Sequence, residues 1–355
     1  MDEQKRGASM DEQKRGASMD EQKRILITGA SGFIGGFLVK EALQRGYNVW
    51  AGIRPNSSRE YLKDERIRFI HLRYEDKAVL TAQLREFVAE SGAWHYVVHN
   101  AGITKTLCTN DFYKVNAHYT QTFIEALAES GCRPQKFLLM SSLSSYGAVD
   151  EILFRPIRTD DEQHPDTIYG KSKLQAECLL KAQTFFPYII FCPTGVYGPG
   201  DKDYLMEIKS IQSGFDLKTG MKPQRITFVY VKDLAVATML ALENPSIRNT
   251  TYFVSDGHTY TDAEFAETVK KMLGKRFVLN LRMPLWAGYL ACVFSEWAGK
   301  LIGKPMTLNR DKYLVLKQRN WTCETERTTQ ELGFTPQYTL KEGLEEILRS
   351  HKNDR

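Results

Sequence analysis

The 355-residue chain is short of the features by which a protein class is most easily recognised. It has no run of about 18 uninterrupted apolar residues, so we expect no integral membrane segment. Its six cysteines are far apart, with no C-x-x-C pair and no histidine at metal-ligand spacing, which predicts no metal site. A chain of this length does not need disulfides, so we expect reduced thiols in a cytoplasmic protein. The formal net charge is only +5, without a block of basic residues, which argues against nucleic acid as a partner.

The first 23 residues repeat themselves. The nonamer MDEQKRGAS occupies Met1–Ser9 and Met10–Ser18, and a third copy begins at Met19. Each copy has two acids, two bases and no apolar face that a neighbouring copy could bury. We expect residues 1–23 to form a disordered tail that takes no part in the fold.

From Arg24 to about Pro193, short apolar runs alternate with longer amphipathic stretches. Because parallel strands need crossover connections, this alternation predicts an α/β protein with a doubly wound parallel sheet. The predicted strands are Ile25–Thr28, Asn48–Ile53, Ile67–Leu72, Tyr96–His99, Lys136–Met140 and Tyr188–Cys192. We assign residues 24–195, with 225–254 returning to them, to this sheet domain. Residues 196–224 and 255–347 are assigned to a smaller, discontinuous C-terminal lobe that binds the substrate over the carboxyl ends of the strands.

A glycine-rich loop follows the first predicted strand. Its spacing is G-x-x-G-x-x-G, and a predicted helix, Phe37–Gln44, comes directly after it. Glycines permit the tight turn and the close approach of a pyrophosphate, while the helix amides carry partial positive charge. Because a strand precedes the loop and a helix follows it, the motif predicts a Rossmann-type dinucleotide site. The expected contacts are Gly29, Ser31, Gly32, Phe33, Ile34 and Gly35.

The end of the second strand indicates which dinucleotide is bound. NAD-preferring sites place a carboxylate there for the ribose 2′-hydroxyl. Here that position is Ile53, and Arg54 follows, with Asn56 and Ser57 as nearby hydrogen-bond donors. An arginine suits the 2′-phosphate of NADP, so we expect NADP(H) in preference to NAD(H). The alternative is that Arg54 is simply an exposed loop residue.

A tyrosine and a lysine stand four residues apart at the start of a predicted helix. Tyr169 and Lys173 therefore lie on one helical face, where an ammonium group favours ionisation of the phenol. Ser142 ends the strand Lys136–Met140. Its hydroxyl could hydrogen-bond the substrate oxygen with which Tyr169 exchanges a proton. The spacing predicts a proton transfer by Tyr169 that accompanies hydride transfer to or from the cofactor.

With these motifs the chain resembles the extended branch of the short-chain dehydrogenase/reductase superfamily, over about residues 24–347. The matching stretches are TGASGFIG (Thr28–Gly35), HNAG (His99–Gly102), SSLSSYG (Ser141–Gly147), YGKSK (Tyr169–Lys173), PTGVYGPGD (Pro193–Asp201) and FVYVKDLA (Phe228–Ala235). The resemblance implies that Ser142, Tyr169 and Lys173 form a catalytic triad. It further implies cofactor contacts from residues beyond the glycine loop, and a homodimer built through a four-helix interface. Those contacts are Asn116, Pro193 and Val196 beside the nicotinamide, and Ala101 and Gly102 at the middle of the cofactor.

Departures from the shared pattern distinguish the activities found in this superfamily. Nucleotide-sugar dehydratases have an Asp-Glu pair directly after the catalytic hydroxyl residue. This chain has Leu143 and Ser144 at those positions. Neither residue transfers protons usefully, so we do not expect dehydration. Epimerases commonly carry an arginine for the substrate diphosphate at the position of Ile226, and Arg225 is one place off. In an extended segment this shift turns the side chain to the other face, unless a bulge restores its direction.

The C-terminal lobe contains a helical stripe of large apolar residues: Leu285, Trp286, Tyr289, Leu290, Val293, Phe294, Trp297 and Leu301. The first interpretation of this stripe is a helix packed on the core. The other two are the apolar wall of a substrate cavity and a shallow contact with lipid.

The lobe itself resembles the dihydroflavonol reductase and 3β-hydroxysteroid dehydrogenase side of the branch, at Met283–Leu285 and Leu332–Pro336. This resemblance implies NADPH-linked reduction of a ketone, or oxidation of a secondary alcohol, on a bulky apolar substrate. Two alternatives stay open at this point. One is a nucleotide-sugar 4-epimerase or sugar reductase, and the other is a non-catalytic cofactor-sensing protein.

Overall fold

The computed structural model describes residues 22–147 and 150–353. Nearly all of the predicted N-terminal tail, residues 1–21, lies outside the described residues. The predicted doubly wound sheet is confirmed: seven parallel strands stand in the order β11-β6-β5-β4-β1-β2-β3. They are β1 (Arg24–Thr28), β2 (Asn48–Gly52), β3 (Arg68–Ile70), β4 (Tyr96–His99), β5 (Lys136–Met140), β6 (Tyr188–Pro193) and β11 (Thr250–Val254). The strand order reverses beside β1, which places a crevice between the carboxyl ends of β1 and β4.

Helices cover both faces of the sheet. They are α1 (Phe33–Gln44), α2 (Lys77–Ser91), α3 (Asn110–Phe112, the π-helix Tyr113–His118 and Tyr119–Glu129), α4 (Ile168–Ala182) and α6 (Val231–Glu243). Because side chains alternate along a strand, Ile25 and Ile27 of β1 pack with α1 and α6 on one face. Leu26 packs with α2, α3 and α4 on the other face. Burial on both sides explains why these strands read as nearly continuous apolar runs.

Helix α1 begins four residues earlier than the sequence pattern suggested. Gly32 is its N-cap residue, and the helix starts at Phe33. The glycines of the loop hid this start, because Gly35 and Gly36 have low helix propensity.

The remaining elements form the C-terminal lobe. They are β7 (Gly195–Tyr197), α5 (Asp203–Gln212), β8 (Phe215–Thr219), β9 (Arg225–Ile226), β10 (Phe228–Tyr230), β12 (Tyr260–Thr261), α7 (Asp262–Met272), β13 (Leu279–Met283), α8 (Leu285–Leu301), α9 (Arg310–Leu316), β14 (Asn320–Trp321), α10 (Glu326–Leu332) and α11 (Leu340–Asn353). Strands β9 and β10 pair with strands of this lobe. Of the predicted returning segment 225–254, therefore, only β11 joins the main sheet, and α6 packs on that sheet. Conversely, Leu332 and Phe334 pack into the core of the main sheet.

Helix α8 contradicts the interpretation of its apolar stripe as a core-packing face. The residues that it buries are small: Gly288, Cys292 and Gly299. Its large apolar side chains are exposed instead, with Trp286 69% exposed and Phe294 68% exposed. The periodicity located the helix correctly, but it could not show which face the rest of the chain would cover.

The two-faced core gives a prediction about stability. Phe137 is fully buried in β5 between Phe123 and Phe186. Phe137→Ala should lower the free energy of unfolding by about 3–5 kcal/mol, because it leaves a cavity among aromatic rings. Phe277→Ala is the matched control, since Phe277 is 74% exposed, and it should change stability by less than about 0.5 kcal/mol. Chemical denaturation measures both, and equal losses would contradict the assignment of the core.

Candidate active site

The glycine loop brings three backbone segments together at the end of β1. Gly29 has a φ of +64°, and a Cβ there would lie 2.8 Å from the Asn100 carbonyl oxygen. A Cβ on Gly35 would lie 2.2 Å from the Gly29 carbonyl oxygen. Any side chain at either position would therefore push the loop, helix α1 and the end of β4 apart. The Gly32 amide donates to the Gly29 carbonyl at 3.0 Å and closes the turn.

The other predicted loop residues surround this turn. Ser31 is half-buried, Phe33 packs edge-on against Phe37 at 6.0 Å, and Ile34 packs on the sheet core. Backbone amides at the start of α1 thus lie next to a turn with a glycine at each end, which is the arrangement that accepts a pyrophosphate.

At the end of β2, no carboxylate takes the position expected in an NAD-preferring site. Ile53 is buried there, and its carbonyl accepts from the His71 ring. Arg54 and Asn56 are exposed, and Ser57 closes a turn with Arg54 through its hydroxyl and its amide. Asp76, the nearby acid after β3, caps helix α2 by accepting from the Val79 amide. Arg54 is therefore an exposed cation at the strand end where the adenosine ribose would lie.

Asn116 links the end of β4 to helix α4. Its side-chain amide is buried and bonds both the amide and the carbonyl of Ile103, and it donates to the Ser172 hydroxyl at 2.9 Å. A Cβ on Gly102 would lie 3.0 Å from the Asn116 amide oxygen and 3.4 Å from the Lys173 nitrogen. Ala101, the neighbour of Gly102, is held by its amide to the Thr28 hydroxyl at 3.0 Å. A continuous series of contacts therefore connects Gly29 to Lys173, through Ala101, Gly102 and Asn116.

The π-helical turn that carries Asn116 has no signal in the sequence pattern. Tyr113–His118 forms this turn, and Tyr119 stacks on Tyr74 at 5.8 Å directly after it. A π-helical turn shifts the register of the residues that follow it, and such turns occur frequently at functional sites. Here the turn directs Asn116 at both Ile103 and α4.

Ser142 and Tyr169 are in contact. The Ser142 hydroxyl is close enough to the Tyr169 phenol to lower its pKa, and it accepts from the Ser144 amide at 3.2 Å. Burial raises the pKa of Tyr169 to about 12, and the hydrogen bond from Ser142 only partly offsets this effect. Desolvation is the largest cause of this shift, and Lys173 is not among its causes. The phenol is therefore neutral at physiological pH.

Lys173 is buried and donates to the Met140 carbonyl oxygen at 2.7 Å. Desolvation lowers its pKa to about 8, against the opposing charge of Glu177. Glu177 lies one helical turn further along α4 and is fully buried. Ser141 and Gln163 donate to its two carboxylate oxygens. Sequence reasoning missed Glu177, although its spacing of four residues from Lys173 was a usable signal.

Asp311 is a second residue that the sequence did not reveal. From the start of α9 in the C-terminal lobe, its carboxylate accepts from the amides of Ile168 at 2.6 Å and Tyr169 at 3.2 Å. It therefore binds the first turn of α4, where backbone amides lack partners within the helix. No local pattern predicts this contact, since 142 residues separate Asp311 from Tyr169.

Pro193 and Val196 lie on two different strands that follow β5 along the chain. Pro193 is the last residue of β6 and pairs with Val254, and Val196 lies in β7. The Ser141 amide donates to the Phe191 carbonyl at 2.7 Å, which fixes β6 beside the end of β5.

Two cavities lie elsewhere. One, of about 600 Å³, is lined by residues of α7 and α11, and one of about 250 Å³ lies beside β11. Neither is lined by a predicted site residue, so the crevice at the strand ends is the candidate active site.

Within residues 22–147 and 150–353 no group of three or more histidine, cysteine, aspartate or glutamate side chains could hold a metal ion. His99 is buried between the hydroxyls of Thr28 and Thr120, at 2.9 and 3.0 Å. Burial lowers its pKa to about 3, so it is neutral and bonded within the core.

The glycine turn, the crevice at the reversal of strand order and the Tyr–Lys pair together define an NAD(P)-binding enzyme. The residues fit the cofactor, because a Cβ on Gly32 at the start of α1 would meet only the Gly29 carbonyl oxygen within 4 Å outside its chain neighbours, which leaves room for a pyrophosphate. The chain belongs to the NAD dependent epimerase/dehydratase family, whose model matches residues 25–254. It is thus an enzyme of the extended short-chain dehydrogenase/reductase type.

Similar proteins differ in activity. The chain is 27% identical to a UDP-glucose 4-epimerase of Vibrio cholerae over 92% of this chain and 94% of that protein. It is 25% identical to a 3-beta-hydroxysteroid dehydrogenase of Mycolicibacterium neoaurum, over 92% and 90% respectively. The structure of UDP-glucuronic acid 4-epimerase from Bacillus cereus in complex with NAD superimposes with a TM-score of 0.72 at 21% identity, covering 93% of this chain and 99% of that one. This last likeness shows the shared fold.

The buried carboxylate gives a prediction about Lys173. In Glu177→Gln, the pKa of Lys173 should fall below about 8, because the charge that favours its ammonium form is removed. Titration of the Lys173 side-chain resonance by NMR, assigned with Lys173→Arg, measures this change. Lys181→Gln is the control: Lys181 pairs with the same carboxylate at 3.7 Å, and its removal should not lower the pKa of Lys173. An unchanged Lys173 titration in Glu177→Gln would show that the carboxylate has no such effect.

Proposed function

We propose that the protein is an NADP(H)-dependent oxidoreductase that reduces a ketone, or oxidises a secondary alcohol, on a bulky apolar substrate. The proposed catalytic residues are Ser142, Tyr169 and Lys173. The observation that carries the proposal is the juxtaposition of Ser142 with the phenol of Tyr169, one helical turn before the buried Lys173. We propose that the glycine loop with Ala101, Gly102, Asn116, Pro193 and Val196 holds the cofactor.

A neutral phenol is a proton donor. With a pKa of about 12, Tyr169 is protonated throughout the physiological range. It can therefore donate to an oxygen that becomes negative as a carbonyl is reduced, which favours the reductive direction. Ser142 lies beside the same phenol and can hydrogen-bond the substrate oxygen. The bound nicotinamide supplies or accepts the hydride.

Lys173 has the proposed role of fixing the cofactor and supporting the proton transfer. Its ammonium donates one hydrogen bond to Met140 and has two further N–H groups. Those groups can reach ribose hydroxyls across Gly102, which presents no side chain in between. With a pKa of about 8, the ammonium form is present below that pH and is lost as the pH rises through it.

The preference for NADP(H) is supported at the end of β2. Ile53 offers no acceptor to a ribose 2′-hydroxyl, whereas Arg54 offers a cation to a 2′-phosphate. The hydroxyl of Ser57, beside Arg54, provides a further polar contact.

Two observations support an apolar substrate. The similarity to a 3-beta-hydroxysteroid dehydrogenase extends over 92% of this chain, in agreement with the resemblance of the C-terminal lobe. Next to Tyr169, the neighbouring ring is the apolar Phe112, at 6.2 Å. An apolar wall binds such substrates by burying surface without introducing charge.

A nucleotide-sugar 4-epimerase is the second candidate, favoured by the 27% identity to a UDP-glucose 4-epimerase. Against it stands the environment of Arg225, whose guanidinium lies over the ring of Phe154 at 4.5 Å instead of being available for a diphosphate. A dehydratase has no support, because Leu143 and Ser144 occupy the positions of its acid and base. A cofactor-sensing protein without catalysis would not need Ser142, Tyr169 and Lys173 together.

Tyr169→Phe should lower turnover by about 10²- to 10⁴-fold, because it removes the proton donor and keeps the ring. The affinity for NADPH, measured by fluorescence titration, should stay within about twofold. Tyr113→Phe is the matched control, since Tyr113 is exposed on the neighbouring α3, and it should keep full turnover. Full activity of Tyr169→Phe would exclude Tyr169 as the proton donor.

A spectroscopic assay separates the two candidate activities. With ketosteroids and hydroxysteroids, an oxidoreductase changes the nicotinamide absorbance in proportion to product. An epimerase returns its hydride to the substrate, so UDP-glucose would be interconverted without a net change in absorbance. Interconversion of the sugar nucleotide with no turnover of any steroid would overturn the proposal.

Arg54→Asp should weaken NADPH binding by about 10- to 100-fold, because it removes a charged hydrogen bond to the 2′-phosphate and adds repulsion. NADH binding should change by less than about threefold. Lys63→Asp, an exposed site further along the same loop, is the control and should leave both affinities unchanged. Equal losses for the two cofactors in Arg54→Asp would contradict the assignment of Arg54.

A further inference from the structure

Helix α8 exposes the residues that a helix of a globular protein normally buries. Trp286, Leu290, Phe294, Trp297 and Leu301 are spaced three or four residues apart and form one outward stripe. Its inward residues are small, and Gly288 rests on Thr219 at the end of β8. The stripe is therefore an apolar surface that nothing in the described residues covers.

The neighbouring strands extend this surface. Strands β8 and β13 form a parallel pair in which Phe215 stands beside Leu279 and Leu217 beside Leu281. All four side chains are exposed. Because alternate residues of a strand share a face, they form a second apolar strip, and α8 begins directly after β13. An exposed apolar area of this kind marks an interaction site.

The charge around the surface indicates what it binds. Residues 275–317 contain eight lysines and arginines and two acids, a formal charge of +6, whereas the whole chain carries +5. Lys275, Arg276, Lys304 and Lys317 are exposed and have no ion pair within the described part of the chain. The two acids are occupied: Glu296 pairs with Arg310 and Lys300, and Asp311 accepts from backbone amides of α4.

We propose that α8, with β8 and β13, docks this protein on the surface of an anionic lipid bilayer. Tryptophan and phenylalanine enter the boundary between headgroups and acyl chains, and lysine and arginine attract anionic headgroups. With 17 residues α8 is about 25 Å long, and no helix of the described residues is long and apolar enough to cross a bilayer. The helix therefore lies along the surface.

Other occupants fit less well. The repeated nonamer MDEQKRGAS has methionine as its one large apolar residue, so the N-terminal copies could not cover the stripe. A two-fold dimer through α8 would place the +6 segment of one chain against the same segment of the other.

The surface adjoins the candidate active site. The loop after α8 receives a hydrogen bond from Lys105 to Thr307 at 3.2 Å, and Lys105 lies in the loop after β4. Asp311, at the start of α9, binds the amide of Tyr169. Docking through α8 thus brings the crevice at the strand ends close to the bilayer, whichever substrate the crevice accepts.

Vesicle binding tests the proposal without any substrate or cofactor. The full chain should sediment with vesicles of phosphatidylcholine and phosphatidylserine at least about tenfold more tightly than with phosphatidylcholine alone. Brominated acyl chains in the same vesicles should quench Trp286 and Trp297, which are 69% and 56% exposed, but not the buried Trp50 and Trp94.

Two sets of variants test which residues are responsible. Trp286→Ser with Phe294→Ser and Trp297→Ser should weaken binding by more than about 100-fold, because it removes the inserted rings. Arg276→Gln with Lys304→Gln should weaken it by about fivefold for each charge removed. Ile152→Ser with Leu153→Ser is the control for exposed apolar residues, 88% and 83% exposed in another loop, and should bind as the unaltered protein does. All of these positions are on the surface, so the melting temperature should not change.

Three results would overturn the proposal. The unaltered protein could fail to bind phosphatidylserine vesicles. The triple variant could bind them as well as the unaltered protein does. Sedimentation velocity could also show a dimer that the triple variant converts to a monomer while vesicles bind neither protein, which would assign α8 to contact between two copies of the chain.

Discussion

Close backbone contact at the carboxyl ends of the strands determines the geometry of the whole candidate site. Helix α1, the turn after β1 and the segment after β4 meet at Gly29 and Gly35, where no side chain separates them. Gly102 continues this contact to Asn116 and Lys173. Main-chain packing therefore fixes the glycine loop after β1 relative to helix α4, which carries Tyr169 and Lys173. Other loop contacts add little to this packing. Larger side chains at these glycines would move the two halves of the site relative to each other.

A buried polar network supports the same site from beneath. Lys173 and Glu177 are both removed from solvent on α4, and burial of charge is costly unless each group has partners. The partners are present: Met140 accepts from the lysine, and Ser141, Gln163 and Cys192 donate to the glutamate. Because every group comes from β5, β6, α4 or the loop before α4, the network ties the catalytic helix to the sheet.

The sequence was most informative where function depends on residues close together along the chain. The glycine loop, the Tyr169–Lys173 pair and the alternation of strands and helices are local patterns, and the parallel sheet follows from them. Asp311 and the exposure of α8 depend on which distant segments meet, and a single sequence does not encode that in any short spacing. The apolar stripe on α8 is an example. Its period predicts a helix, but the stripe faces the solvent because the helix packs inward through Gly288, Cys292 and Gly299. The π-helical turn at Asn116 is missed for another reason: it has the same composition as an ordinary helix.

Residues near the C-terminus pack into the core of the main sheet, and this limits how the protein can be divided into fragments. The family match ends at residue 254, but Leu332 and Phe334 fill the same core as Ile25 and Leu38. Thr328 also donates to the Phe253 carbonyl oxygen in the last strand of the sheet. A fragment that ends after β11 would leave this core open to water on the α1 side. The core of the main sheet is thus completed by residues about 80 positions further along the chain than the end of the family match.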